Sequence, residues 1–204
     1  MTKDAFTIII PYYDNPSLCE RLIKELLHQK RRYRQTEILV VDDGSHDGAF
    51  LDNISGIRVI HQENRGCPAA RNVGLDNADT EYIAFCDCDD MVVWNYLDII
   101  YEQMRRGYDW VSYDWQMNNG AHSEQYTPGY RNNAVWAYTY RKEFIGDLRF
   151  DESIRNGSDD IHFIKRLINY QTDNYFEDRR VIYIYYWFGN TNSLQHRVCR
   201  GEVV

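Results

Sequence analysis

A chain of 204 residues with 44% apolar side chains is long enough for one domain with a sizeable core. A net charge of −8 without a basic face excludes nucleic acid as the expected partner, because the phosphate backbone would be repelled. Five scattered cysteines form neither a secreted-domain disulfide framework nor zinc-type pairs, and no stretch approaches the roughly 18 apolar residues of a membrane span. The apolar run Phe6–Ile10 is too short for a signal peptide and follows Asp4, so a cytoplasmic location with reduced thiols is expected.

Strand and helix alternate through the first half. Phe6–Ile10 reads as a buried strand, and Asn15 with Pro16 opens a helix whose stripe is Leu18, Leu22, Ile23, Leu26 and Leu27. The basic cluster Lys30, Arg31, Arg32 and Arg34 falls at the end of that helix, where cations complement its dipole. Ile38–Val41 and Ile57–Ile60 are a second and third strand. Pro68 starts a short helix, Tyr82–Phe85 is a fourth strand, and Leu97, Ile100, Tyr101 and Met104 mark another helix. Short apolar strands alternating with helices predict an α/β fold, with a mostly parallel sheet covered on both faces. In the second half Asp109–Tyr113 and Val135–Tyr140 read as strands, Met117–Arg131 as loop, Ser158 as a helix cap and Val181–Trp187 as a last strand.

Ligands of such sheets bind beyond the carboxyl ends of the strands, and the polar clusters lie there. Pro11-Tyr12-Tyr13-Asp14-Asn15 follows the first strand and Asp42-Asp43-Gly44-Ser45 the second; Asn64-Arg65-Gly66 precedes the Pro68 helix, which carries Arg71. The fourth strand ends in Asp87-Cys88-Asp89-Asp90, three carboxylates within four residues. Such crowding is relieved by a hard divalent cation, Mg²⁺ or Mn²⁺, which prefers oxygen ligands. In extended backbone Asp87 and Asp89 would share one side. Downstream, Asn156-Gly157-Ser158-Asp159-Asp160 places two more acids at a helix start, where they also stabilise the helix without any chemistry. Each cluster alone has a plain structural explanation as a turn or cap.

Together and in this order the segments "IIIPYYDN", "VVDDGSHDG", "NRGCPAARNVGL", "YIAFCDCDD", "YRKEFIGDLRFDE" and "NGSDDIHFIKRL" resemble family 2 glycosyltransferases with the GT-A fold. The resemblance implies a single domain, 1–204, with a nucleotide-sugar-binding half (1–108) and an acceptor-binding half with a C-terminal loop (109–204). It implies an inverting transfer of a sugar from a nucleotide-diphosphate donor, a UDP-sugar, to a hydroxyl of a carbohydrate or lipid-linked glycan. The alternative is a non-catalytic nucleotide-sugar or glycan-binding module of the same fold. Peripheral membrane contact and a homodimer are left open.

The resemblance also assigns roles. Tyr13 would stack on the base beside Pro11, and Asp43, next to Asp42, would accept a base N–H, as uracil offers. Asn64, Gly66 and Cys88 would join the nucleotide-sugar site, and Arg71 would reach phosphate or base, or lie on the helix surface. Asp87 would contact ribose or a metal-bound water, and Asp89 would bind Mn²⁺ or Mg²⁺. His196 is a further candidate ligand. Asp160 would be the general base, since an acceptor hydroxyl is a poor nucleophile at neutral pH. Asp159 would contact the acceptor or shape the site.

Overall fold

The computed structural model describes residues 2–117, 134–154, 157–168 and 172–185. In chain order the elements are β1 (Thr2–Tyr12), α1 (Pro16–Lys30), β2 (Thr36–Asp42), β3 (Arg58–His61), α2 (Cys67–Asn77), β4 (Thr80–Phe85), β5 (Met91–Val92), α3 (Tyr96–Met104), β6 (Trp110–Met117), β7 (Tyr138–Arg141), α4 (Lys142–Ile145), α5 (Asp159–Ile168) and β8 (Tyr175–Tyr185). All eight strands join one sheet in the order β3-β2-β1-β4-β7-β6-β8-β5. The run β3-β2-β1-β4 is parallel. Pairing turns antiparallel at β4–β7 and β7–β6, is parallel again at β6–β8, and closes antiparallel at β8–β5. The expected acceptor-side β region is thus continuous with the parallel run β3-β2-β1-β4.

β1 is a central strand, and Phe6, Ile8, Ile9 and Ile10 are fully buried, as an apolar run covered on both faces requires. The buried hydroxyl of its Thr7 is satisfied by Thr80 Oγ1 at 2.7 Å and by donating to Glu37 at 2.9 Å. Alternation along β1 sends Phe6 to one face, where it meets the Tyr101 ring of α3 edge-on at 6.3 Å, and Ile9 to the other, where α2 lies. Gly74 permits that second contact: a Cβ there would sit 2.3 Å from Ile9 Cγ2. Gly74→Val is therefore expected to lower stability by about 1–3 kcal/mol, through overpacking against a stiff β-branched neighbour, measured by urea unfolding.

Most boundaries move by one to a few residues. Asn15 does stand at the N-cap of α1, but its side chain makes no cap bond. Its N–H instead donates to the Tyr12 hydroxyl at 3.2 Å. The segment Val135–Ala137 is a 3-10 turn before β7 rather than strand. β8 begins at Tyr175, six residues before the predicted start, because its charged opening is paired: buried Asp178 accepts from Gln103 at 2.8 Å and from Arg180. β5 and α4 had no sequence signal. Among the described residues no helix is long and apolar enough to cross a membrane.

Candidate active site

β4 ends at Phe85, and the acidic residues form a turn closed by the Asp90 N–H donating to the Asp87 carbonyl at 3.2 Å. The expectation that Asp87 and Asp89 share one side of an extended strand is therefore corrected: the chain reverses at Cys88 and Asp89. Asp90 is 1% exposed, and its carboxylate accepts the Tyr183 hydroxyl at 2.8 Å. The same hydroxyl accepts the Asp87 N–H at 3.0 Å. Burial holds the Tyr183 phenol protonated, with Asp90 and Asp87 adding to the effect, so it remains a donor. Tyr183 comes from β8, which pairs Val92 with Tyr183 just after the turn. An apolar strand tyrosine thereby pins the acidic turn.

The loops after β1, β2 and β3 lie against one another. Asp43 N–H donates to the Tyr12 carbonyl at 2.9 Å, and Gln62 N–H to the Asp42 carbonyl at 2.9 Å. The Cys88 thiol meets the Tyr13 backbone, joining the first loop to the acidic turn. Pro11 is buried in β1, opposite Val41, and Tyr13 is 40% exposed, a ring presented to solvent at this end of the sheet. Gly44, at φ +76°, lets the third loop pass, since a Cβ there would lie 2.7 Å from the Asn64 nitrogen. Asn64 itself is exposed.

Asp42 and Asp43 are both buried, and neither carboxylate is open to a ligand as expected. Asp43 accepts from Gln62 Nε2 at 2.7 Å, Arg65 N–H at 2.8 Å and Gly66 N–H at 2.7 Å. It holds the 62–66 loop and the start of α2, where Gly66 is the N-cap with φ +95°. Asp42 accepts the Ser45 N–H at 3.0 Å and contacts His61 Nδ1 at 2.7 Å. His61 also meets Asp52 at 3.1 Å, and hydrogen bonds to Asp42 and then Asp52 raise its pKa.

Arg71 departs furthest from expectation. Its side chain is 4% exposed, so it is neither a surface residue nor open to phosphate. Nη2 donates to Asp87 Oδ1 at 2.8 Å, while Nη1 donates to Asp160 Oδ1 at 2.6 Å and to Asp159. One guanidinium thus ties the acidic turn to both acids of α5. The second Asp160 oxygen accepts the Val135 N–H at 3.0 Å. Burial pushes the Asp160 carboxyl up to about 7, with the Asp159 and Asp87 charges adding to it against Arg71 and the Val135 N–H. A carboxylate with this pKa is suited to take a proton near neutrality.

Asn72, the next residue of α2, accepts the Phe150 N–H at 2.8 Å and donates to the Phe150 carbonyl at 3.0 Å, docking the segment that follows α4. Phe150 stacks on Phe163 of α5 at 4.0 Å and 6°. Tyr183, Val135 and Gln62 were not foreseen as site residues; nothing in an apolar strand, a turn N–H or a loop glutamine marks them in sequence.

Among the described residues no group of three or more His, Cys, Asp and Glu is arranged to hold a metal ion. The donor chemistry still fits one: Asp87 and Asp89 offer carboxylate oxygens from one turn, and Mg²⁺-type ions use one or two carboxylates with waters and substrate phosphates. His196 lies outside the described residues.

The model of glycosyl transferase family 2 matches residues 7–182. The glycosyltransferase GlyG of Streptococcus pneumoniae is 34% identical over 110 residues, which is 50% of this chain and 36% of GlyG. The glycosyltransferase EpsJ of Bacillus subtilis is 31% identical over 184 residues, 75% of this chain and 53% of EpsJ. In fold the chain resembles residues 1–349 of TarS of S. aureus, solved with UDP, at a TM-score of 0.76 and 22% identity over 89% of this chain and 60% of that one. It also resembles the mannosyltransferase PcManGT of Pyrobaculum calidifontis, solved with GDP-Man and Mn²⁺, at a TM-score of 0.64 and 19% identity over 88% of this chain and 56% of that one. The chain therefore spans between 36% and 60% of the length of these four chains.

Proposed function

The chain belongs to glycosyl transferase family 2, with the GT-A fold, and from that premise we propose that it is an inverting glycosyltransferase. The donor is a nucleotide-diphosphate sugar, a UDP-sugar, and the acceptor a hydroxyl on a carbohydrate or lipid-linked glycan. The observation that carries this reading is the link from Asp87 through Arg71 to Asp160, which brings an acidic turn within one guanidinium of a carboxylate titrating near neutrality.

The donor occupies the loops following β1 to β4. Tyr13 stacks on the base. Asp43 acts indirectly, by shaping the 62–66 loop, and uracil as the base rests on the likeness to TarS with UDP. Asp89, with Asp87, would hold Mn²⁺ or Mg²⁺, which when bound offsets charge on the departing diphosphate. Asp160 accepts the acceptor proton as the new bond forms at the anomeric carbon and the bond to the diphosphate breaks. Attack opposite the leaving group inverts that carbon. Residues 109–204 supply the acceptor side, with Asp159 shaping it.

A panel of UDP, GDP and their sugars, each with Mn²⁺, tests the reading by thermal unfolding and by donor hydrolysis. A ligand of the native state at 100 times its dissociation constant adds about 2.7 kcal/mol, so uridine nucleotides are expected to raise the melting temperature and guanosine nucleotides to leave it unchanged. Stabilisation without hydrolysis or transfer for any donor and acceptor would favour the non-catalytic binding module.

A further inference from the structure

We propose that Arg71 is a positioning residue for the transfer step, fixing the Asp160 carboxylate opposite the acidic turn without touching the donor. The inference rests on the reading of Asp160 as the base. Three observations carry it. First, the guanidinium charge is already engaged: it donates to Asp87, Asp159 and Asp160, and a charge shared among three carboxylates is not available to a diphosphate. Second, its plane is set from the acceptor side, where its carbon lies 5.4 Å from the centre of the Phe150 ring, itself stacked on Phe163 of α5. Third, Nε is buried without a hydrogen-bond partner, so the side chain takes its orientation from the three acids.

The consequence is geometric. Asp160 is gripped through one oxygen by Arg71 and through the other by the Val135 N–H at 3.0 Å. Each oxygen keeps a second lone pair, so a hydroxyl can still approach. The grip joins α2, α5 and the turn between β4 and β5, and so sets the distance from base to donor site. A lysine would keep the charge but lose the planar fork, and could not hold all three acids in the same directions.

Arg71→Lys and Arg71→Gln test this, with Asp160→Asn as control. Melting temperature, UDP affinity with Mn²⁺, donor KM and transfer kcat are measured on each. The expected result is donor affinity and donor KM within about threefold of wild type and kcat lower by about 100-fold, the cost of displacing a catalytic group by roughly 1 Å. Guanidinium chloride should partly restore kcat to Arg71→Gln at tens of millimolar, where sodium chloride should not.

Wild-type kcat in either folded variant overturns the proposal. So does a loss confined to donor KM, which would return Arg71 to donor binding. Failure of both variants to fold would assign Arg71 to the scaffold and also overturn it. If Asp160→Asn transfers normally, the base reading itself falls. If Asp160→Asn is inactive while Arg71→Lys is normal, only the role of Arg71 falls.

Discussion

Asp160→Asn is expected to slow sugar transfer by about 10²–10⁴-fold while UDP binding with Mn²⁺ stays within a few-fold of wild type. The amide keeps the shape of the carboxylate beside Arg71 and Val135 but cannot take a proton. Wild-type kcat/KM is expected to rise with pH through about 7 and then level, following ionisation of this group. The same titration marks stability with a definite sign. In the folded chain the carboxyl sits at about 7, whereas unfolded aspartate titrates near roughly 3.9. Between those values the folded form binds more protons, so this group costs stability as pH climbs through the window. Asparagine has no such cost. The melting temperature of Asp160→Asn relative to wild type should therefore increase from pH 5 to pH 8. Undiminished transfer, or a flat difference in melting temperature, would count against Asp160 as a buried base.

Asp89→Ala carries the other large effect. Asp89 is half-buried in the turn, and it is the carboxylate proposed to hold the divalent ion. Its loss is expected to lower donor turnover by about 10²–10³-fold, the scale of removing one electrostatic stabiliser of departing charge. The fold should survive, because the Tyr183 hydroxyl, the Asp87 N–H and Asp90 pin the turn. In the wild type, chelation by EDTA should abolish the rise in melting temperature produced by UDP with Mn²⁺. In Asp89→Ala that rise should already be absent. A Mn²⁺-dependent shift of normal size in the variant would move the ion elsewhere.

The parallel half of the sheet was legible because burial on both faces leaves uninterrupted apolar runs, as in Ile8–Ile10 and Ile38–Val41. The opening of β8 was hidden because Asp178 and Arg180 interrupt its pattern and are satisfied by each other and by partners elsewhere on the chain, Gln103 and Glu102. Motif order located the candidate site, but not the direction each side chain takes. Asp43 turns to the loop after β3, since three N–H groups of residues 62–66 meet it there. Arg71 turns inward to acids 88 and 89 residues along the chain. Such long-range pairings follow from how α2 and α5 pack, and a sequence read segment by segment does not contain them. Tyr183 was opaque for a related reason: its hydroxyl matters because β5 brings the acidic turn beside β8.

The Trp136 ring lies flat on Tyr183, with centroids 4.3 Å apart and planes 9° apart, and Tyr183 touches the acidic turn through its hydroxyl. Trp136 is 6% exposed, whereas Trp94 is 77% exposed. Indole fluorescence shifts to the blue in dry surroundings and responds to nearby charge, so the short-wavelength part of the emission belongs to Trp136 together with Trp110, which is 5% exposed. A cation or diphosphate arriving at the turn would alter the field along that stack, giving the molecule an optical signal of occupancy that needs no attached dye.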